Sequence, residues 1–295
     1  MAESIQDILK KVRRVQITAR RTVNDLLAGQ YRSVFRGQGM EFDEVREYQP
    51  GDEIRTIDWN VTARAGTPFI KRYSEERELT VLFVVDVSAS GIFGSRSSSR
   101  LSVIVELAAV LMFSALRNND RVGLLTFADG VESWFAPRKG KSHVLRLLRE
   151  LLSVTPVKTG TNIDHALKTI NTVQRRNAVV FLMSDFFDQV SRSTLIATHG
   201  RHDLVSVCVQ DPREHQLPES GILNLRDAET GQVMQVDAGN AKVRKQFADQ
   251  AMNRRLKLKN LMQQAGIDLL EIDLAESYIT SLQRFFTMRE RRKRA

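Results

Sequence analysis

Five oxygen-bearing residues stand where a strand or loop ends. Asp86, Ser88 and Ser90 form an Asp-x-Ser-x-Ser run that closes the apolar stretch LTVLFVVDV. Thr161 sits in KTGTNI just before a predicted helix, and Asp185 directly follows AVVFLMS. Two carboxylates with three hydroxyls are hard donors. They suit a divalent cation such as Mg²⁺, which keeps several of its waters and so needs few charges from the protein. Thr161 follows Asp86 by 75 residues and Asp185 follows Thr161 by 24, so the set can only be assembled by a fold. Without a metal, Ser88 and Ser90 would cap a turn and Asp185 a helix, since these residue types also favour caps and turns.

Other chemistry is harder to build from this chain. A strand ending in Asp also opens the metal-dependent phosphatases of the haloacid dehalogenase type. Those need a second Asp two residues on as general acid and base. Ser88 holds that place, and a hydroxyl with a pKa far above neutral cannot shuttle the proton. There is no Ser-His-Asp arrangement to replace it, so the chain is expected not to be an enzyme. Gly140, Lys141 and Ser142 look like the end of a phosphate-binding loop, but Phe135 stands where that motif requires Gly. His199 and His202 lack a Cys or His companion at zinc spacing and are expected to face solvent. Cys208, in VSVCVQ, reads as a small buried hydrophobe. As the single cysteine of the chain it cannot form an internal disulfide, which fits a reducing compartment, and a cytoplasmic location is expected.

Buried strands and covering helices must position the five residues. LTVLFVVDV is a continuous, β-branched run of the kind that lies inside a parallel sheet. A helix over 101–117, the strand RVGLLTFAD, helices in HVLRLLRELL and IDHALKTINTVQRR, and the strand AVVFLMS follow in turn. A helix over about 189–199, the strand LVSVCVQ, a long helix over about 241–265, the strand IDLLEID and a last helix over 278–289 complete the series. Alternating strands and helices predict an α/β fold with a doubly wound, mostly parallel sheet covered on both faces. In such sheets ligands gather beyond the carboxyl ends of the strands. Residues 211–237 break the alternation with ILNLRD and QVMQVD around ETG, a predicted hairpin insertion. Ahead of the sheet, residues 1–30 read as an amphipathic helical leader and 31–77 as a small β-rich subdomain. The sheet domain spans 78–290 and a basic tail 291–295.

Composition sets the outer bounds. Hydrophobic residues make up 42% and charged residues 27% of 295, which is ordinary for a folded chain and unlike a disordered one. No apolar stretch approaches the roughly 18–20 residues that cross a bilayer, and the N-terminus lacks the apolar core of a secretory signal. The net charge of +9 is concentrated at the ends, with five basic residues in 289–294. A nucleic-acid role would use such charge, but no aromatic interleaving or recognition motif accompanies it. The tail is therefore expected to be solvated, and nucleic-acid binding is the alternative function alongside the phosphohydrolase.

The five-residue set resembles the metal-ion-dependent adhesion site of von Willebrand factor A domains, which pairs an Asp-x-Ser-x-Ser loop with a later Thr and a still later Asp. The stretch GQGMEFDEVREYQPGDEIRTIDWNVTARAGTPFIKRYSEERELTVLFVVDVSAS resembles the signature of the "domain of unknown function 58" family, and the likeness runs on through DPREHQLPESGILNLRDAETG to the last helix. Gly91 stands where many relatives carry Met, which leaves the five ligands intact. The resemblance implies a von Willebrand factor A-like fold and a metal-dependent protein-binding role, with the partner filling the last coordination position from an acidic side chain. It further implies an adaptor beside a MoxR-type AAA+ ATPase in the assembly or maturation of protein complexes. Within the signature, Arg46, Asp52, Arg55, Asp58 and Arg64 are dense alternating charges beside Tyr48 and Trp59. They are expected either to clamp the subdomain onto the sheet through ion pairs or to touch the partner directly.

Overall fold

The computed structural model describes residues 5–22, 31, 34–35, 41–74, 78–94, 99–155, 160–227 and 231–294. It divides into two units, Phe35–Leu79 on the one hand and Met1–Val34 with Thr80–Ala295 on the other. In chain order the first unit is preceded by helix α1 (Ile5–Thr22) and contains strand β1 (Glu41–Glu47), helix α2 (Trp59–Ala65) and strand β2 (Phe69–Ser74). The main unit continues with β3 (Thr80–Asp86), α3 (Arg100–Arg117), β4 (Arg121–Phe127), β5 (Val131–Arg138), α4 (Lys141–Ser153), α5 (Ile163–Val173), β6 (Val179–Ser184), α6 (Arg192–His199) and β7 (Asp203–Gln210). It ends with β8 (Ile222–Arg226), β9 (Val233–Asp237), α7 (Ala241–Gln264), β10 (Asp268–Asp273) and α8 (Tyr278–Arg294).

Six strands form the central sheet in the order β10-β7-β6-β3-β4-β5, and every neighbouring pair is parallel except β4 with β5. The doubly wound, mostly parallel architecture is the predicted one. Successive side chains of β3 alternate faces. Leu82 and Val84 pack with Ile163, Leu167 and Leu195 from α5 and α6. Val81, Phe83 and Val85 are fully buried on the other face, where Phe83 stacks on Phe181 of β6 at 5.5 Å. Burial on both sides explains why the strand reads as an unbroken apolar run. The chain leaves β3 toward β4 and β5, then returns past β3 to β6 and β7. That reversal puts a switch point between β3 and β6.

Strand β5 is absent from the sequence-based series. Its residues VESWFAPR alternate half-buried and exposed positions on the sheet edge, where Pro137 disturbs no further strand. Gly123 in β4 marks the close packing there, since a Cβ would lie 2.7 Å from Leu82 Cδ2 and 3.0 Å from the Phe135 carbonyl. The predicted insertion is present as the antiparallel pair β8 and β9.

The predicted leader falls partly outside the described residues. Helix α1 belongs to the main unit and packs on α3 and α4, while 23–30 lie outside the described residues. In the small unit β1 and β2 pair antiparallel. Arg46 forks onto Asp52 at 2.8 and 2.9 Å, and Asp58 caps α2 by accepting from the Asn60 and Val61 amides. These contacts shape the subdomain itself. Within this unit Arg55 and Arg64 are exposed, and Trp59 is 68% exposed.

The basic C-terminus corrects another expectation. Helix α8 continues to Arg294, and Arg289 is 4% exposed, hydrogen-bonded to Asp203 and 3.4 Å from Asp268. Arg292 reaches Asp268 at 2.7 Å. Asp203 and Asp268 open the adjacent strands β7 and β10, so the fold supplies carboxylates to what reads along the chain as a solvated charge run. Arg289→Ala should therefore destabilise the chain by about 3 kcal/mol, the scale of breaking a buried pair. Urea unfolding checks it against Arg291→Ala on the exposed side. Equal midpoints for the two variants would show that Arg289 contributes nothing.

Candidate metal centre

Parallel pairing places Val85 beside Met183, so β3 and β6 end side by side with Asp86 next to Ser184 and Asp185. Both Asp86 and Asp185 are 5% exposed, and Ser88 is 1% exposed. Beyond β3 the chain turns into a short 3₁₀ segment, Ala89–Ile92. The turn is fixed by Asp86 itself, whose Oδ1 accepts from the Ser88 amide at 3.0 Å. Its Oδ2 accepts from Ser184 Oγ at 2.6 Å. The hydroxyls of Ser88 and Ser90 then lie 3.0 Å apart.

Asp185 is held as firmly. Its Oδ1 accepts from the Phe187 amide at 3.1 Å, and its Oδ2 accepts from Arg100 Nη1 at 2.6 Å. Phe186 between them takes φ 56°, a left-handed conformation that costs a residue other than glycine roughly 1–2 kcal/mol. Arg100 is 2% exposed and extends its guanidinium across the site. It donates to the Ser90 carbonyl at 2.8 Å, to the Val209 carbonyl at 3.1 Å, and to Glu214. Glu214 in turn closes a reciprocal cap with Asp211 at the end of β7. One side chain thus joins the Ser90 loop, the end of β6 and the turn after β7.

Thr161 arrives from a third direction. The next residue, Asn162, donates its amide to the Ala128 carbonyl at 2.7 Å, tying the loop to the end of β4. Asn162 also caps α5 by accepting from the His165 amide. Thr161 is half-buried there. Contacts therefore link Asp86, Ser88, Ser90 and Asp185, while Thr161 is delivered at the carboxyl end of the strand adjoining β3.

The electrostatics follow from this packing. Burial pushes the Asp86 carboxyl up to about 6, and the charge of Asp185 pushes in the same direction. The Ser184 hydroxyl and the Ser88 amide and hydroxyl oppose the rise without cancelling it. Burial likewise raises Glu214, against the pull of Arg100. Among the described residues no group of three or more His, Cys, Asp or Glu side chains could hold a metal ion. A cation here must rely on hydroxyls and water to complete two carboxylates. That donor set, two buried carboxylates with three hydroxyls, fits a hard divalent ion. Asp86, Ser88, Ser90, Thr161 and Asp185 are the residues that would hold it.

Arg100, Ser184 and Glu214 were not singled out from the sequence. Arg100 ends SRSSSR, which reads as a low-complexity patch, and a lone Arg at a helix start gives no sign of burial. The only available signal was proximity of Ser184 to Asp185. Cys208 is fully buried with its thiol pushed up by burial, and its sulfur lies 3.6 Å from the Asp185 carbonyl oxygen. His202, expected at the surface, is 2% exposed because the turn from α6 into β7 bonds its amide to Thr198 and folds it inward.

Comparison with known proteins agrees with the sequence resemblance. An uncharacterized protein of Mycobacterium tuberculosis is 30% identical over 284 residues, covering 95% of this chain and 89% of the relative. Bacillus subtilis YeaD is 27% identical over 107 residues, 36% of this chain and 25% of that one. Among solved structures, BatB from Bacteroides thetaiotaomicron aligns with 72% of this chain and 99% of its own at 17% identity and a TM-score of 0.46. The mussel byssus protein PTMP1, in a form described as having a zinc-occupied MIDAS motif, aligns with 45% of this chain and 38% of its own at 13% identity and a TM-score of 0.35. Scores this low carry no weight for the site. The model described as "Protein of unknown function DUF58" matches residues 44–257, and with that match and the mycobacterial relative the chain belongs to the DUF58 family.

Proposed function

We propose that this chain is a divalent-cation-dependent protein-binding module with no catalytic activity of its own. One observation supports the reading above the others. Two buried carboxylates from adjacent strand ends sit beside two hydroxyls only 3.0 Å apart, at the switch point of the sheet. Serine at position 88 stands where the phosphohydrolase alternative needs its second Asp two residues after the first, so that alternative lacks its usual proton carrier.

The roles of the side chains divide naturally. Asp86 and Asp185 supply charge, and Ser88, Ser90 and Thr161 supply neutral oxygen. Ser184 and Arg100 orient the two carboxylates, as outer-shell partners of metal ligands do. A bound cation, with Mg²⁺ the first choice for an all-oxygen set, would offer an exchangeable position that an acidic side chain of the partner could fill. The partner we put first is a MoxR-type AAA+ ATPase, in cytoplasmic assembly or maturation of protein complexes. That choice is supported by the family resemblance.

The charge strain at Asp86 gives a test with a definite sign. Its pKa is raised from 3.8 to about 6, so its contribution to stability is full below 3.8 and is lost as pH rises through 6. In chelator at pH 7.5, Asp86→Asn should be more stable than wild type by at most about 3 kcal/mol, and the gap should close near pH 4. Mg²⁺ should then raise the melting temperature of wild type and not of the variant. A less stable variant in chelator, or no response of wild type to Mg²⁺, would remove the carrying observation.

Partner binding provides the second test. Affinity of the purified protein for the MoxR-type ATPase should fall in excess chelator, and Thr161→Ala should weaken it by about tenfold or more, as loss of a metal contact does. Surface plasmon resonance with and without Mg²⁺ measures both. Unchanged affinity in a folded Thr161→Ala protein and in chelator would mean that recognition does not pass through a metal.

A further inference from the structure

Beside Asp185 the surface opens into a cleft lined by Phe186, Phe187, Gln210, His215, Arg254 and Leu258. Phe187 forms its rim and is 50% exposed, although its amide is bonded to Asp185 Oδ1. The Arg254 guanidinium lies over the Phe187 ring at 5.1 Å, and Arg100 approaches the same ring at 6.0 Å. Arg254 has no carboxylate partner among the described residues, whereas its neighbour Arg255 is paired with Glu271 at 2.6 Å. An exposed aromatic ring with an uncommitted guanidinium is a surface made for contact.

Arg254 belongs to α7, which is unusual in the chain. Of its 24 residues only Ala251 and Met262 are buried. It carries seven basic residues against a single acid, Asp249, and Met252 and Leu256 are 62% and 44% exposed. Amphipathic packing does not account for a helix so open and so charged.

We infer that the Phe187–Arg254 stack and the adjoining stretch of α7 dock an acidic protein segment whose leading carboxylate goes to the metal centre; this rests on the function proposed above and names the chemistry of its partner. Charge complementarity selects the occupant. A segment with several carboxylates could place one at the cation and the next on Arg254, with an apolar residue against Phe187. A nucleic-acid backbone needs a continuous cationic track, and here Asp185, Glu214 and Glu271 interrupt it. A membrane surface needs a broad apolar face, and α7 exposes only Met252 and Leu256 among its large apolar residues.

The test is fluorescence anisotropy of a labelled octaglutamate peptide titrated with the full chain, in Mg²⁺ and in EDTA. Arg254→Glu should weaken binding by about tenfold or more in both conditions, since it replaces a charge-assisted contact with repulsion. Phe187→Ala should weaken it in the same direction, because the ring holds the Arg254 guanidinium that meets the peptide carboxylate. Arg176→Glu, at the amino end of β6 and equal in charge change, should leave it unaltered. If EDTA weakens binding and Arg254→Glu does not, the docking surface is wrong and the metal reading stands. If Arg254→Glu weakens binding and EDTA does not, the surface stands and the metal reading falls. No binding of octaglutamate by wild type overturns the inference. So does preferential, Arg254-dependent capture of a single-stranded DNA oligomer or of phosphatidylserine vesicles.

Discussion

Two carboxylates meet at the switch point of the sheet, buried, and burial together with the charge of Asp185 makes Asp86 harder to ionise. Much of the local structure answers that conflict. Ser184 and the Ser88 amide bond the two oxygens of Asp86, and the Phe187 amide and Arg100 bond those of Asp185. Arg100 also draws in Glu214, so with all three carboxylates ionised one guanidinium faces three negative charges. A formal surplus of two remains. Burying such a surplus is costly unless a counter-charge arrives, and a divalent ion would supply it with neutral oxygens already at hand.

The fold is arranged to bring those charges together. Strands β3 and β6 are buried on both faces, which makes their ends rigid, and parallel register sets Asp86 beside Ser184. Their immediate continuations carry the chemistry, one as a 3₁₀ turn and the other through a left-handed Phe186. Arg100 reaches over both from the first turn of α3. Because it also bonds the Val209 carbonyl, the end of β7 is tied to the same point. The neighbouring cleft, with Phe187 and Arg254 at its rim, is therefore built on the same backbone as the carboxylates.

How much of this could be read from the chain varies with the kind of signal. Doubly buried strands announce themselves as β-branched apolar runs, so β3, β4, β6 and β7 were legible, and the edge strand β10 was legible from the apolar positions of IDLLEID. Asp-x-Ser-x-Ser at the end of such a run was legible for the same reason. Strand β5 was not, because none of its positions is fully buried, so no apolar run marks it, and it carries Pro137. Arg100 and Arg289 escape a reading along the chain for a shared reason. Their burial comes from contacts with residues distant in sequence, 85 positions away for Arg100 with Asp185 and 86 for Arg289 with Asp203. Periodicity is local and cannot see such pairs. The charges of the small subdomain fall between these cases, since the alternation of Arg46 and Asp52 hinted at pairing but not at which element it would brace.

The most direct measurement is anomalous diffraction from crystals of the full chain soaked in Mn²⁺, a hard divalent ion that oxygen ligands also accept. The account requires one strong peak coordinated by the Ser88 and Ser90 hydroxyls and by at least one of Asp86 and Asp185, with Arg100 still on the Asp185 carboxylate. A peak confined to another surface, or none between β3 and β6 in crystals that retain this fold, would contradict it.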